Sequence, residues 1–400
     1  MKNEISQAYS ICLIQRMNEQ MKIGIVGNYG NDNNGDEAIL LSIIRQLQKV
    51  FQIDTKNITV FSNNPKQTAE RYTVQSYPLY YKNGNAVKTF MKTYKENSNV
   101  VKNLDYVVIG GGGILMDLYK REAPLYGSYA MMAKNNNVPY VVYGCGAGPL
   151  NTGLGKWFIR YMAKHAQNIS VRDPQSEQLL KTIGVKRDVH VIGDPAFSLE
   201  VERSNYSDKP KSVGVTAVPY YNASYWPTGD EAKYKNYIDG MAKNLDRLIE
   251  EHNVDVTFFA TKYPQDADVT KDIQAKMKHP ENTKIIDENL PPQRILQITS
   301  TFDVLIGTRL HSLILATDAK TPIIGVSYHV KVNDFLQMAG LGNYSLPIDS
   351  LHETDEKFAM LFNDMAVDWD GAQNLAARTN ASFKEKSALG EQLLKEGAKK

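Results

Sequence analysis

Residues 22–62 read KIGIVGNYGNDNNGDEAILLSIIRQLQKVFQIDTKNITVFS, and the order of patterns inside this stretch decides the fold. A short β-branched run, KIGIVG (22–27), passes into the longer DEAILLSIIRQLQKVF (36–51), whose apolar residues recur at helical spacing. A second β-branched run, ITVFS (58–62), closes the unit. Strand, helix and strand in that order are the repeating piece of a parallel sheet, whose strands are covered on both faces and therefore read as continuous apolar runs.

The same rhythm continues through YVVIGGGG (106–113), YVVYGCGAG (140–148), NISVRD (168–173) and VHVIGD (189–194). After the polar, proline-containing ERSNYSDKPKS (202–212) it starts again. SVGVTAV (212–218), NYIDGMAKNLDRLIEEH (236–252), VDVTFFAT (254–261), DIQAKMKH (272–279), TKIIDENL (283–290), PPQRILQITSTFDVLIGTR (291–309) and TPIIGVSYH (321–329) form the second set. The expectation is an α/β protein of two Rossmann-like domains with parallel sheets facing a cleft. Their bounds are 21–205 and 206–350, with an N-terminal extension over 1–20 and an amphipathic helical segment over 351–400. Residues 1–20 show neither a clean apolar core nor a small-residue cleavage site, and no window has the apolar length of a membrane span.

Composition narrows the class. With 46 basic and 44 acidic residues the formal charge is only +2, which gives no global reason to expect nucleic-acid binding. Cys12 and Cys145 are too few and too far apart for a disulfide framework or a zinc site, which fits a reducing, cytoplasmic compartment. No HExxH, paired CxxC or carboxylate cluster with ligand spacing is present, so neither a metal nor a resident cofactor is expected.

Ligands of open parallel sheets bind at the carboxyl ends of strands, so the residues closing each strand are the first candidates. GNYGNDNNGDEAIL (27–40) offers Asn28 and Asp36, the latter placed to cap the following helix; it has neither the Walker nor the GxGxxG spacing. GGGGILMD (110–117) offers Gly111 and Gly112 for close backbone approach and Asp117 as a carboxylate. GCGAGPL (144–150) reads as a structural turn, because Pro149 removes an N–H from any phosphate-binding helix start. SVRDPQSEQLL (170–180) places Arg172 at a strand end, either paired with Asp173 or aimed at a carboxylate.

The sharpest candidate is GTRLHSLILATDAKTPIIGVSYHVK (307–331), which carries Arg309, His311 and Lys331 through an otherwise apolar passage. Such charges are costly to desolvate unless they meet a partner or a ligand. Residues two apart do not share a helix face. With Arg309 in the turn and His311 in the first helical turn, however, both can point to one place beside the free N–H groups of the helix, an anion locus on which Lys331 can converge.

These blocks resemble, in their order, those of the polysaccharide pyruvyl transferases of bacteria and yeast: GNYGNDNNGDEAIL, VVIGGGGILMD, GCGAGPL, ISVRDPQSEQLL, VIGDPAF, GTRLHSLILA and GVSYHVK. The resemblance covers about residues 21 to 345. It implies a fold similar to the GT-B glycosyltransferases and transfer of pyruvate from phosphoenolpyruvate onto two hydroxyls of a sugar, as a cyclic ketal with release of phosphate. It also implies Arg172, Arg309, Leu310, His311 and Lys331 as donor-site residues, of which His311 is the catalytic candidate by its chemistry. From the strand ends alone, Asn28, Asp36, Gly111, Gly112 and Asp117 are the candidates to line the acceptor side or the cleft. The partner would be a sugar or polysaccharide precursor; a lipid-linked one would bring the enzyme to the inner membrane face without a membrane segment.

The chemistry of the residues agrees. Guanidinium and ammonium groups compensate a small, multiply charged anion, and a histidine with an unperturbed pKa of ~6.5 suits proton traffic near neutral pH. The rival reading is a glycosyltransferase of the same architecture using a nucleotide sugar, with Asp287 or Glu288 on the ribose. The chain's 23 tyrosines, several in YYNASYW (220–226), suit a carbohydrate acceptor but also pack as ordinary aromatic clusters.

Overall fold

The computed structural model describes residues 21–203, 207–226 and 228–399; the N-terminal extension expected over 1–20 lies outside the described residues. The chain divides into two compact units. The first holds residues up to Asn31, Ile39–Ser198 and Lys384–Lys400; the second holds Asp32–Ala38 and Leu199–Phe383.

In the first unit the strands are β1 (Ile23–Val26), β2 (Ile58–Ser62), β3 (Gln75–Pro78), β4 (Tyr106–Gly110), β5 (Tyr140–Cys145), β6 (Ile169–Val171) and β7 (His190–Val191). They form one sheet in the order β3-β2-β1-β4-β5-β6-β7, every pairing parallel. In the second unit β8 (Ser212–Thr216), β9 (Asp255–Phe259), β10 (Thr283–Ile286), β11 (Val304–Gly307), β12 (Ile323–Ser327) and β13 (Ser345–Pro347) form a parallel sheet in the order β10-β9-β8-β11-β12-β13. The two Rossmann-like parallel sheets expected from the sequence are the observed fold class. The central strands β1, β4, β5, β8 and β11 are almost wholly buried, which is why they carry uninterrupted apolar runs.

Two strands lie beyond those runs. β3 (QSYP) and β13 (SLP) are short edge strands with partly exposed side chains, so neither needs an apolar run. The C-terminal segment is helical as expected, in helices Lys357–Val367 and Trp369–Gly397. The second helix does not belong to one unit: its residues through Phe383 pack in the second and those from Lys384 in the first.

The glycine run after β4 has a packing cause. Gly111 adopts φ +77°, and a Cβ there would fall 2.1 Å from the Ile39 side chain and 3.0 Å from the Tyr29 hydroxyl. Gly112, also at positive φ, accepts from the Gly146 N–H at 2.7 Å, tying the loop after β4 to the loop after β5.

Candidate active site

In each sheet the strand order reverses beside the first strand, at β1/β4 and at β8/β11, and such switch points are where open α/β sheets place ligands. β11 ends at Gly307 and leads through Thr308 and Arg309 into helix Leu310–Asp318. The turn is held from both switch strands. Thr308 Oγ1 donates to the Thr216 carbonyl at 3.1 Å, and Ser312 Oγ donates to the Arg309 carbonyl at 2.7 Å while bonding Thr216 Oγ1 at 2.8 Å. Arg309 is thereby fixed in extended backbone as the residue before the helix.

Its side chain meets a partner absent from the sequence expectation. Arg309 Nε lies 3.1 and 3.2 Å from the two carboxylate oxygens of Asp266, and Nη2 also contacts Asp266 Oδ1. Asp266 is completely buried at the start of helix Gln265–Gln274 and accepts further bonds from the Thr261 N–H and hydroxyl and from the Lys262 N–H. Burial by itself would lower the guanidinium's pKa; the adjacent Asp266 carboxylate outweighs it and keeps Arg309 charged. The remaining donor, Nη1, reaches the Tyr225 hydroxyl at 3.3 Å, and Lys262 Nζ reaches the same oxygen at 3.4 Å. Arg309 and Lys262 also lie 5.4 and 4.8 Å from the Tyr225 ring centroid. For the Tyr225 phenol, burial pulls its pKa up, but Arg309 and then Lys262 more than offset this and hold it below the ordinary tyrosine value.

Behind Tyr225 the YYNASYW stretch builds an internal aromatic cluster. Trp226 stacks on Tyr221 at 5.1 Å and meets Tyr220 and Tyr328 edge-on. The Tyr220 hydroxyl is anchored on both oxygens of Asp349, at 3.0 and 3.1 Å. Tyr328, at the end of β12, has its pKa raised chiefly by burial.

His311 is the second residue of its helix, partly exposed, and its ring lies on Gly35 so closely that a Cβ there would sit 2.2 Å from Nδ1. This explains the asparagine-rich turn. Asn33 pairs with Lys262 as an isolated antiparallel bridge, the Asn34 N–H donates to the Thr261 carbonyl at 3.0 Å, and the Asn34 and Asn289 side-chain amides bond at 3.1 Å. The start of helix Asn34–Phe51 is thus held within the second unit beside His311 and Lys262. The helix begins earlier than expected, so Asp36 is not its cap. Asn33 takes that role, its Oδ1 accepting from the Gly35 N–H at 3.2 Å while its Nδ2 donates to Asp36 at 2.9 Å.

Leu310 is the first residue of the Leu310–Asp318 helix and is half-buried. Lys331 is the second residue of helix Val330–Met338, directly after β12; its N–H donates to Nδ1 of the capping His329 at 3.3 Å. Burial first, and then the Lys331 charge, lower the His329 pKa, so the cap is held in its accepting, neutral form.

The other candidates belong to the first unit. Arg172 is buried between two carboxylates, with Nη1 3.3 Å from Asp194 and Nε 3.4 Å from Asp173, and its guanidinium lies on Gly146. Of the two readings of this arginine, the ion pair is the one visible in the structure, with Asp194 as the more buried partner. Asp117 is buried and accepts from the Asn151 N–H at 2.8 Å and from the Thr152 N–H and hydroxyl at 2.6 Å each, ordering the turn before helix Gly153–His165. Burial pushes its pKa up, and these hydrogen bonds outweigh that and leave it below the usual value. Asn28 is half-buried and accepts from the Asn31 amide at 2.7 Å.

Asp266, Lys262, Tyr225 and Tyr328 were not singled out by sequence. Lys262 was within reach of the strand-end rule, since it closes the VDVTFFAT run; Asp266 carries no local signal. Among the described residues no group of three or more His, Cys, Asp and Glu side chains could hold a metal ion, and no helix is long and apolar enough to cross a membrane. Cys145 is buried, which pushes its thiol up to about 12.

An α/β switch-point site with a buried Arg–Asp pair, a helix-start histidine and a following lysine defines a candidate anion-handling enzyme. The profile of the polysaccharide pyruvyl transferase family matches residues 33–330, and the chain belongs to that family. The amylovoran biosynthesis protein AmsJ of Erwinia amylovora is 20% identical over 387 residues, covering 83% of this chain and 89% of AmsJ. Among solved structures, a UDP-N-acetylglucosamine 2-epimerase superposes with a TM-score of 0.61 at 14% identity, covering 96% of this chain and 98% of the other. The UDP-GlcNAc 2-epimerase of Methanocaldococcus jannaschii gives 0.59 at 14% identity over 86% and 92%, and Anabaena Alr3699/HepE, in complex with UDP and glucose, 0.58 at 11% over 94% and 98%. At these identities the structural likenesses speak for the fold alone.

Proposed function

We propose that the protein transfers pyruvate from phosphoenolpyruvate onto two hydroxyls of a sugar in a polysaccharide or its precursor, forming a cyclic ketal and releasing phosphate. The observation that carries this reading is the placement of Arg309 and His311 at the start of one helix at the switch point, with Lys331 at the start of the next. Family membership and the likeness to a polysaccharide biosynthesis protein support the reaction class. In this reading the Arg309 side chain, the Leu310 backbone N–H and Lys331 hold the donor's anionic groups, and His311 moves protons between acceptor and donor. Arg172 enters the donor set through the family resemblance; its carboxylate partners already balance its charge. The acceptor, soluble or lipid-linked, is a sugar with two hydroxyls close enough to close a ketal ring.

The test is release of inorganic phosphate from phosphoenolpyruvate with a panel of sugar acceptors. Acceptor-dependent release and thermal stabilisation by phosphoenolpyruvate are expected. Stabilisation by UDP instead, with no phosphate release, would transfer the reading to a nucleotide-sugar enzyme.

A further inference from the structure

Ketal formation needs a proton on the donor's methylene carbon as well as bases for two hydroxyls, and His311 alone does not cover all of these roles. Tyr225 is placed for the missing one. Its oxygen accepts from two cations, Arg309 Nη1 and Lys262 Nζ, so its own O–H is directed away from both, and the ring is only partly buried. Lys262 Nζ makes no ion pair among the described residues; its contacts are with the Tyr225 hydroxyl and ring.

Resting on the pyruvyl-transfer reading, we propose that Tyr225 is a catalytic acid that protonates the methylene carbon of phosphoenolpyruvate. The phenol O–H breaks and the electron pair of the C=C bond forms the new C–H, leaving an oxocarbenium-like C2. The first sugar hydroxyl adds to C2 and gives its proton to His311, which passes it to the departing phosphate as the C2–O bond breaks. The second hydroxyl then closes the ring and returns a proton to the Tyr225 phenolate. Protons balance, and Arg309 and Lys262 stabilise the phenolate between the two steps.

The experiment measures phosphate release with the sugar panel, and thermal stabilisation by phosphoenolpyruvate, for the wild type, Tyr225→Phe and Lys262→Met. Tyr225→Phe is expected to be stabilised by phosphoenolpyruvate as the wild type is, while its kcat falls by about 100-fold or more, the usual contribution of general acid catalysis. Lys262→Met keeps the phenol and removes one cation. The groups facing the phenol are Lys262 from the loop after β9, and Arg309 and Tyr328 from the ends of β11 and β12, with Asp266, at the start of helix Gln265–Gln274, paired behind Arg309. Losing Lys262 raises the phenol's pKa, so the basic limb of the kcat profile moves to higher pH. If Tyr225→Phe fails to fold, that profile decides. A kcat close to wild type in Tyr225→Phe, or an unmoved basic limb in Lys262→Met, overturns the role of Tyr225 and leaves the pyruvyl-transfer reading standing. A wild type that releases no phosphate with any acceptor overturns that reading and the role of Tyr225 with it.

Discussion

Arg309 owes its position to Asp266. A fully buried carboxylate, also held by backbone and hydroxyl donors, forms a fork-to-carboxylate pair with the guanidinium. Because both charges have left water, removing one is far worse than removing both. Asp266→Leu is expected to cost about 3–5 kcal/mol in urea unfolding, whereas the double variant Asp266→Leu/Arg309→Met recovers part of that loss. Additive losses in the double-mutant cycle would show that the pair is not coupled. His311 is the opposite case, a partly exposed side chain whose loss should leave stability nearly unchanged. His311→Ala is expected to lower acceptor-dependent phosphate release by about 100-fold or more, and a weak, uniform loss would remove it from the proton-transfer scheme. At this scale the sequence was half legible. Arg309, His311 and Lys331 announce themselves as charges in an apolar passage, but the partners of Arg309, Asp266 at a helix start and Tyr225, lie 43 and 84 residues away in the chain. Nothing local to Asp266 separates it from a carboxylate at an ordinary helix start.

Elements that the pattern of residues marked as binding loops turn out to be held by internal bonds. The Asn33–Gly35 turn is fastened to the loop after β9 and presents a bare backbone to His311. Gly35→Ala places a methyl group where the imidazole lies. The chain should still fold, since Gly35 has no positive φ, but His311 must move, and phosphate release should fall with little change in melting temperature. Full activity in Gly35→Ala would show that the position of the ring is not critical. Asp117 fastens the turn before helix Gly153–His165, and its lowered pKa ties this to pH. A carboxyl whose folded pKa lies below its unfolded value of about 3.9 adds stability above that value and loses it as pH falls through the folded pKa. Asp117→Asn should therefore cost about 1–3 kcal/mol at neutral pH, with the gap to wild type closing below about pH 4. An equal gap at pH 3 and pH 7 would mean that the charge of Asp117 does not contribute. Strand and helix order were legible here because burial on both faces forces apolar runs. The edge strands β3 and β13 were not, because their exposed faces impose no such pattern.

For the whole molecule, one element enters both cores. Helix Trp369–Gly397 stacks Phe383 on Phe335 at 5.7 Å and donates from Asn380 to the Asp318 carbonyl at 3.1 Å in the second unit. From Lys384 onward it serves the first. There the Leu394 carbonyl accepts from the Tyr106 hydroxyl at 3.1 Å, the Leu393 carbonyl from Asn168 at 2.7 Å, and Gly390 lets the Tyr143 hydroxyl approach. Leu393 and Leu394 are both buried, each worth about 1.5–3 kcal/mol when removed from water. The amphipathic pattern of the sequence shows that such a helix must pack. It does not show that its partner changes along its length, because each half presents the same spacing of apolar residues. A chain ending at Phe383 keeps the contacts of the second unit and strips one cover from the first. Hydrogen exchange of the truncated chain should therefore quicken in β4, β5 and β6, the strands that carry or adjoin Tyr106, Tyr143 and Asn168, and stay unchanged in β8 and β11. Faster exchange spread evenly over both sheets would mean that the helix stabilises the protein as one cooperative body. No change in either would mean that its last turns add nothing to the first core.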